Sequence, residues 1–575
     1  MKNKKKLVAI TLIVVLGIFI LYKLMVFTVF NRYREDAAGT RKEEPVLAVY
    51  DLQNEEKGYE LKQYTHLYIR WNSAAEKDNA KQIDDSLLAG KNPLLITLEI
   101  WPSAGGKLLK ENIVDQIAAG NFDKKFKALA AFLSTQSREI LLRLNPEMEV
   151  YVNRYPWQMK SSLTYIQGFR NFAEIFKKNA PAVKIVWAPA GHPGADEFWP
   201  GNDFVDIISV TLKGKSEALV NNYMEPTSIT ELVKHKILRV RFSDKPVILV
   251  GSEMVTEANF PYQSLDTAVK QIIENKEILY KDVTKTDQVN GNELFRKEGS
   301  LIIGAYDPAV KIVTNPAISV EHLFANLREL KNGNFRKSFD SVIARNHDVI
   351  VTMEPWRDKE LEKDPLLIKN ILDGKYDPVF KELFSIISTT NRKVYLRWLH
   401  EMEIPITRYP WQSQDPLGYV KAFRYFVNKL QPKPDNISIV WGPAGDRGSI
   451  DFWPGSDVVD YISMAIYGLP DKNITDHNKQ EPFTSIFNRK YRRLRFAHKP
   501  LFITEFGVKG PDNYKRKWLQ DAATTINAHP EIIGVNYFNF ADSPKAWGDI
   551  ETPDWSTSPA VFNEFVKQLN TGPKK

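Results

Sequence analysis

LRLNPEMEVYVNRYPWQ (residues 142–158) and LRWLHEMEIPITRYPWQ (residues 396–412) are one motif written twice. Arg143 and Arg397 are offset by 254 residues (397 less 143). The same offset joins Trp157 to Trp411, Trp187 to Trp441, Trp199 to Trp453 and Asp206 to Asp460. Gly120 to Gly374 and Asp123 to Asp377 repeat it upstream, and nearer the start it drifts by one or two, Trp101 matching Trp356 and Tyr50 matching Tyr306. A period this long marks a duplicated domain, since solenoid units run roughly 20–50 residues. Each copy covers about 250 residues, the usual size of an eight-stranded α/β barrel.

Outward from the motif, short runs rich in Val, Ile, Tyr and Phe alternate with amphipathic helical stretches. In the second copy they predict strands near 301–306, 319–325, 349–353, 394–398, 438–441, 460–466, 501–505 and 533–538. Alternating strand and helix implies a parallel sheet, and eight such units imply closure. The first copy shows seven counterparts, near 46–50, 64–70, 94–98, 140–143, 184–187, 206–211 and 247–250. Its eighth, ILYKDV at 278–283, is a poor strand, so irregular or incomplete closure is expected there. The expected fold class is α/β: two tandem (β/α)8 TIM-type barrels after one N-terminal transmembrane helix.

Leu7 to Tyr22 carries no charge, and the apolar character resumes after Lys23 and runs to Phe30. Roughly 20 such residues span a bilayer, and Lys23 can snorkel to the interface. The run exceeds the roughly 7–15 residues of a signal-peptide core, which favours an anchor over a cleaved signal. Lys2, Lys4, Lys5 and Lys6 precede it and stay cytoplasmic by the positive-inside rule. The expected location is the plasma membrane, single-pass, with both barrels extracytoplasmic and the lipid bilayer contacted through residues 7–30. The divisions are an anchor at 1–30, a linker at 31–44, the first barrel at 45–298 and the second at 299–575.

The net charge of +8 includes five lysines in or beside the apolar run, leaving +3 (8 less 5) for the rest. Nucleic-acid binding needs a concentrated basic face and loses its support there. With 43% hydrophobic residues the 575-residue chain can build large cores. No cysteine is present, which excludes disulfides, thiolate metal sites and cysteine nucleophiles. No metal constellation and no phosphate loop is found, and no cofactor is expected.

Working residues of such barrels sit at the C-terminal ends of strands. Glu401 lies just past the fourth predicted strand of the second copy, and Glu505 closes the seventh. Strands four and seven stand on roughly opposite sides of the ring, so the two carboxylates would face each other across the mouth. Glycosidases need that arrangement: one acid protonates the leaving oxygen while the other attacks the anomeric carbon or activates water. A single Glu at a strand end is more often an ion-pair partner, and it is the pair that favours catalysis. His400 precedes Glu401, and Arg397 lies a few residues before it. A nearby cation keeps a carboxylate ionised, whereas a general acid needs a raised pKa. Tyr467, at the end of strand six, is placed to orient Glu505. Trp356, Trp411 and Trp547 fall at or beyond strand ends and are candidates to stack on sugar rings; Trp441 and Trp453 read as space-filling core.

The second copy resembles glycoside hydrolase family 26, the endo-β-1,4-mannanase family, a retaining family with this barrel fold. The resemblance runs over most of 301–570. It rests on VTMEPW (351–356), ILDGKYDPVF (371–380), RWLHEMEIPITRYPW (397–411), IVWGPAG (439–445), DFWPGSDVVDYISMAIYG (451–468) and KPLFITEFG (499–507). It implies Glu401 as acid/base and Glu505 as nucleophile, with Arg397, His400 and Tyr467 at active-site positions. Glu403 and Ala444 stand where the family usually has Asn, which bears on the preference for mannan.

The first copy keeps Glu147 opposite Glu401 and Glu99 opposite Glu354, but Pro146 replaces His400, Lys213 replaces Tyr467 and Gly251 replaces Glu505. Glu253, two residues on, would sit roughly 6–7 Å further along an extended strand, too far for an unchanged mechanism. The first barrel is therefore expected to be catalytically dead. The leading expectation is a membrane-anchored retaining endo-glycosidase on a β-linked polysaccharide such as mannan. The alternative is a non-catalytic glycan-binding or polysaccharide-assembly protein beside a membrane polysaccharide synthase. Transglycosylation would use the same residues as hydrolysis.

Overall fold

The computed structural model describes residues 46–50, 59–60, 64–72, 93–101, 112–150, 154–212, 229–251 apart from 241 and 244, 294–355, 364–404, 408–471 apart from 413, 479–542 and 551–570. The apolar run at 7–30 lies outside them. Among the described residues no helix is long and apolar enough to cross a membrane.

The second half is a closed barrel. Its strands are β9 (Ile302–Tyr306), β10 (Val320–Asn326), β11 (Asp348–Glu354), β12 (Val394–Trp398), β13 (Ile437–Trp441), β14 (Tyr461–Gly468), β15 (Leu501–Val508) and β16 (Ile532–Phe538). They bond in the order β10-β11-β12-β13-β14-β15-β16-β9, all in parallel, with β9 closing the ring between β16 and β10. All eight expected strands are present within three residues of their expected ends. Both faces are covered, so these strands read as apolar runs; every residue of β15, LFITEFGV, is buried. The helix Asp377–Ile387 shows why the chain crosses over where it does. Pro378 sits in its first turn, and Phe380, Leu383, Phe384 and Ile387 recur at helical spacing and are buried. Each such side chain contributes about 1.5–3 kcal/mol on leaving water.

The first half departs from expectation. Its strands are β1 (Val46–Tyr50), β2 (Tyr59–Glu60), β3 (Thr65–Asn72), β4 (Leu94–Trp101), β5 (Ile140–Leu144), β6 (Lys184–Trp187), β7 (Ile207–Leu212) and β8 (Val247–Gly251). Strands β3 to β8 form a parallel series like that of the barrel. However, β1 runs antiparallel to β8, with β2 antiparallel on its outer edge, so the described strands form an eight-stranded sheet and not a closed barrel. Closure requires one strand to bond both ends of the series, as β9 does. β1 bonds β8 and β2 instead, and the weak eighth segment at 278–283 lies outside the described residues. Among the described residues the expected first barrel is this open sheet.

Inside the closed barrel the side chains stack in layers. Val320, Ile350, Tyr395, Val440 and Phe502 form an apolar floor. Two residues further along the same strands come His322, Thr352, Arg397, Gly442 and Thr504, because inward-facing positions alternate along a strand. That second layer, polar and buried, is the platform of the site described next.

Candidate active site

Arg397 is 1% exposed and reaches across the barrel. Its Nε donates to Thr352 Oγ1 at 2.8 Å, Nη1 donates to Thr504 Oγ1 at 3.0 Å, and Nη2 donates to Glu505 Oε1. Gly442 leaves the room: a Cβ there would lie 2.7 Å from Arg397 Cδ and 2.9 Å from its Cγ. Thr504 and Glu505 are consecutive, yet both contact one guanidinium. Strict alternation would turn Glu505 away, but the register of β15 shifts against β14 between Ser463 and Ala465, and against β16 between Ile503 and Phe506. Such irregularities re-aim a side chain at a barrel rim. Tyr467, from β14, donates its hydroxyl to Glu505 Oε2 at 2.8 Å, so both carboxylate oxygens are held.

Glu401 stands on a tight loop after β12. Leu399 and Glu401 have φ of 46° and 53°, left-handed values that cost non-glycine residues energy and cluster at functional sites. Three bonds hold the loop: Glu401 N to Gly442 O at 2.8 Å, Gln412 Nε2 to Glu401 O at 3.0 Å, and Trp411 Nε1 to His400 O at 2.7 Å. Burial, and then the nearby Glu505 charge, push the Glu401 carboxyl up to about 7. Burial, with Arg397 and Arg408 close by, holds His400 well below the usual histidine range, so its ring is neutral at neutral pH. His400 Nε2 lies 3.7 Å from Glu354 Oε1, at the end of β11. Burial opposes the charge of Arg408, but Tyr409, Glu401, Asp542 and Glu354 around it keep it firmly protonated. One pair of groups is thus arranged to carry a proton at Glu401 and to present hydrogen-bonded acceptor oxygens at Glu505.

Of the residues singled out from sequence, Arg397, Glu505 and Tyr467 form one bonded cluster, and Glu401 and His400 stand beside it. Trp411 needs correction as a sugar platform. It is fully buried, stacked on Tyr409 at 4.6 Å with its indole N–H spent on the His400 carbonyl, so it braces the Glu401 loop from behind. Trp356 and Trp547 lie outside the described residues. Sequence reasoning missed Thr352, Thr504, Arg408 and an aromatic cluster at the mouth. In that cluster Tyr306 stacks on Phe538 at 4.7 Å and meets Phe324 and Phe540 edge-on, with Phe540 43% exposed. Tyr306 had been visible only as the partner of Tyr50 in the repeat. Trp555, buried against Tyr467 at 4.6 Å, was also missed.

The first half keeps the same loop without the same site. Asn145 and Glu147 have φ of 44° and 60°. Glu147 N donates to Ala188 O at 2.7 Å, Gln158 Nε2 to Glu147 O at 2.9 Å, and Trp157 Nε1 to Pro146 O at 2.7 Å. Arg143 Nε donates to Thr97 Oγ1 at 2.5 Å. Yet Val250 and Gly251 occupy the positions of Thr504 and Glu505, and Nη1 of buried Arg143 has no hydrogen-bond partner among the described residues. Lys213 and Glu253 lie outside those residues.

No family model matches the chain. It is 27% identical over 157 residues to a β-1,3-xylanase of a Vibrio species, a match covering 26% of this chain and 30% of that protein. It is 26% identical over 170 residues to a β-1,3-xylanase of an Alcaligenes species, covering 28% and 32%. The chain thus spans about a third of the length of these relatives. Among solved structures, a family 26 β-mannanase from Bacteroides ovatus aligns at 14% identity and a TM-score of 0.35, over 48% of this chain and 89% of that one. An endo-β-1,4-mannanase catalytic domain from a Bacillus species aligns at 14% and 0.35, over 47% and 85%.

Proposed function

We propose that the chain is a retaining endo-glycosidase acting on a β-linked polysaccharide through its second barrel. The observation that carries this is the unequal treatment of two carboxyl groups at one barrel mouth. Glu505 accepts from a guanidinium and a phenol, while Glu401 is raised to about 7 by burial and by Glu505. The carboxyl that its environment keeps protonated is assigned the acid, and the one whose oxygens accept two hydrogen bonds the nucleophile. Glu505 attacks the anomeric carbon as the glycosidic C–O bond breaks, and the Glu401 proton goes to the leaving oxygen. Glu401, now a carboxylate, then takes a proton from water, whose oxygen bonds to the anomeric carbon and releases Glu505. Exposed Phe540, with Tyr306 and Phe538 behind it, offers the sugar a stacking face. The names of the relatives support β-1,3-xylan as a substrate to set beside mannan.

On this reading the first half is a diverged, non-catalytic copy, supported by its matching loop and its missing acid. Residues 7–30 anchor the chain in the plasma membrane, with both halves outside. The test is hydrolysis by the full chain of β-mannan, glucomannan, β-glucan, β-1,3-xylan and alginate, with Glu505→Ala and Glu253→Ala beside it. Loss with Glu505→Ala and retention with Glu253→Ala is the expected result. Polymer binding that survives Glu505→Ala, with no cleavage by any form, would move the protein to the glycan-binding class.

A further inference from the structure

The ion pair at the centre of the contact between the two halves is made twice, in exchanged form. Arg239 of the first half donates from Nε to Asp451 of the second at 2.9 Å. Arg493 of the second donates from Nε to Glu197 of the first at 3.0 Å. Arg493 follows Arg239 by 254 residues, and Asp451 follows Glu197 by 254. The contact and its mirror image are therefore both made. The surroundings repeat as well. Arg239 Nη1 donates to Gly191 O at 2.8 Å and Arg493 Nη1 to Gly445 O at 3.1 Å. Lys236 Nζ donates to Ala190 O at 2.5 Å and Lys490 Nζ to Ala444 O at 2.6 Å. Both acids stand on short turns of 3₁₀ helix, Ala195–Phe198 and Ser449–Phe452, each preceded by a glycine with positive φ. Beyond the central pairs, His235 of the first half lies 3.4 Å from Asp415, the cap of the helix Pro416–Lys429. Arg492 of the second half donates to Ser162, in the first turn of the helix Ser162–Asn179, at 2.9 Å.

Two domains packed through unrelated surfaces make contacts that are not exchanged. Exchange of i with j and j with i is the mark of a two-fold, isologous interface. It also means that the second half alone carries both complementary groups, Asp451 and Arg493, on one face. We propose that this face is a self-complementary dimer surface of the fold, and that the first half occupies the place of a second copy, so that the chain is a fused pseudo-homodimer. The side chains of Glu197 and Asp451 are 8% and 2% exposed; Arg239 pairs with Asp451, and Arg493, with Arg447 at 3.2 Å beside it, pairs with Glu197, so reversing these charges leaves buried charges opposed, which is strongly destabilising. The inference rests on duplication of the fold, not on hydrolysis, and is tested without any activity measurement.

A protease site placed within residues 284–292 of the full chain allows it to be cut between the halves. Sedimentation velocity of the cut protein should give a single 1:1 particle. Glu197→Lys with Arg239→Glu, which reverses the first-half member of both pairs, should make the cut halves separate. Adding Arg493→Glu and Asp451→Lys, which restores opposite charges across the interface, should bring them together again, and a regained complex also shows that the reversed chain still folds. The freed second half from the first pair of reversals retains Asp451 and Arg493 and should sediment as a dimer of itself. Halves that separate without any reversal, halves that stay together despite it, or a freed second half that remains monomeric would overturn the proposal.

Discussion

The guanidinium of Arg397 is paired with the carboxylate of Glu505 at the rim of the closed barrel, both of them buried. The equivalent Arg143 is just as buried in the first sheet, with Gly251 where the acid would be. Two matching loops thus stand above arginines that differ in whether an acid is there to be held.

Arg397→Met leaves Glu505 buried without its cation and should destabilise the chain by about 3–5 kcal/mol, besides abolishing activity. Arg143→Met removes a side chain with one strong hydrogen bond and should cost about 1 kcal/mol. Urea denaturation of the two variants checks the difference. An equal cost at both positions would mean that the Arg143 site holds a counter-charge of its own.

Glu401 must be protonated to act as an acid, so kcat/KM should fall as pH rises through about 7. Glu401→Gln should remove that limb and lower activity by about 10²–10⁴-fold. Stability follows the same carboxyl. Its folded value is raised above the ordinary glutamate value of 4.5, so its contribution is full below that value and is lost as pH rises through about 7. Thermal unfolding from about pH 4 to about pH 9 should show the wild type losing ground to Glu401→Gln over that window.

Tyr467→Phe deletes the 2.8 Å bond to Glu505. Hydrogen bonds to charged groups contribute about 1.5–3 kcal/mol. The variant should therefore lose roughly 10–100-fold in kcat/KM. A fall confined to KM would show that Tyr467 contacts sugar instead of orienting the nucleophile.

Gly442→Ala gives the barrel the residue that the first half has at position 188. The new methyl would stand 2.7 Å from Arg397 Cδ, so the guanidinium must move off Glu505. Overpacking of this kind costs about 1–3 kcal/mol, and the expected result is a folded, nearly inactive protein by circular dichroism and assay.

Phe540→Ala should raise KM for polysaccharide with little change in Tm, because the ring is exposed. Trp411→Ala should instead lower stability by about 3–5 kcal/mol, as loss of a buried aromatic does. Thermal unfolding beside steady-state kinetics separates the two roles.

Tryptophan at a strand end reads alike in a sequence whether its face meets sugar or a tyrosine. Only its neighbours decide, and Tyr409, two residues earlier, takes the face of Trp411. Phe540 carried no such signal, since it lies beyond the last strand in a stretch without periodicity. Glu505 was legible as the end of an apolar run, but not its direction. That comes from the register shift in β15, which no local pattern records.

By itself the sequence determined the strand positions, the 254-residue repeat and the two glutamates at strand ends. These are local properties, since apolar runs and period-2 alternation depend on neighbours along the chain. Tertiary structure alone decided that β9 closes its ring while β1 turns antiparallel onto β8, that Arg397 spans from Thr352 to Glu505, and that Arg239 and Arg493 exchange acids across the halves. Each of these is a choice among partners far apart in the chain. Hydrogen bonds and ion pairs are short-ranged in space and indifferent to sequence separation, so the chain has to fold before it can make that choice.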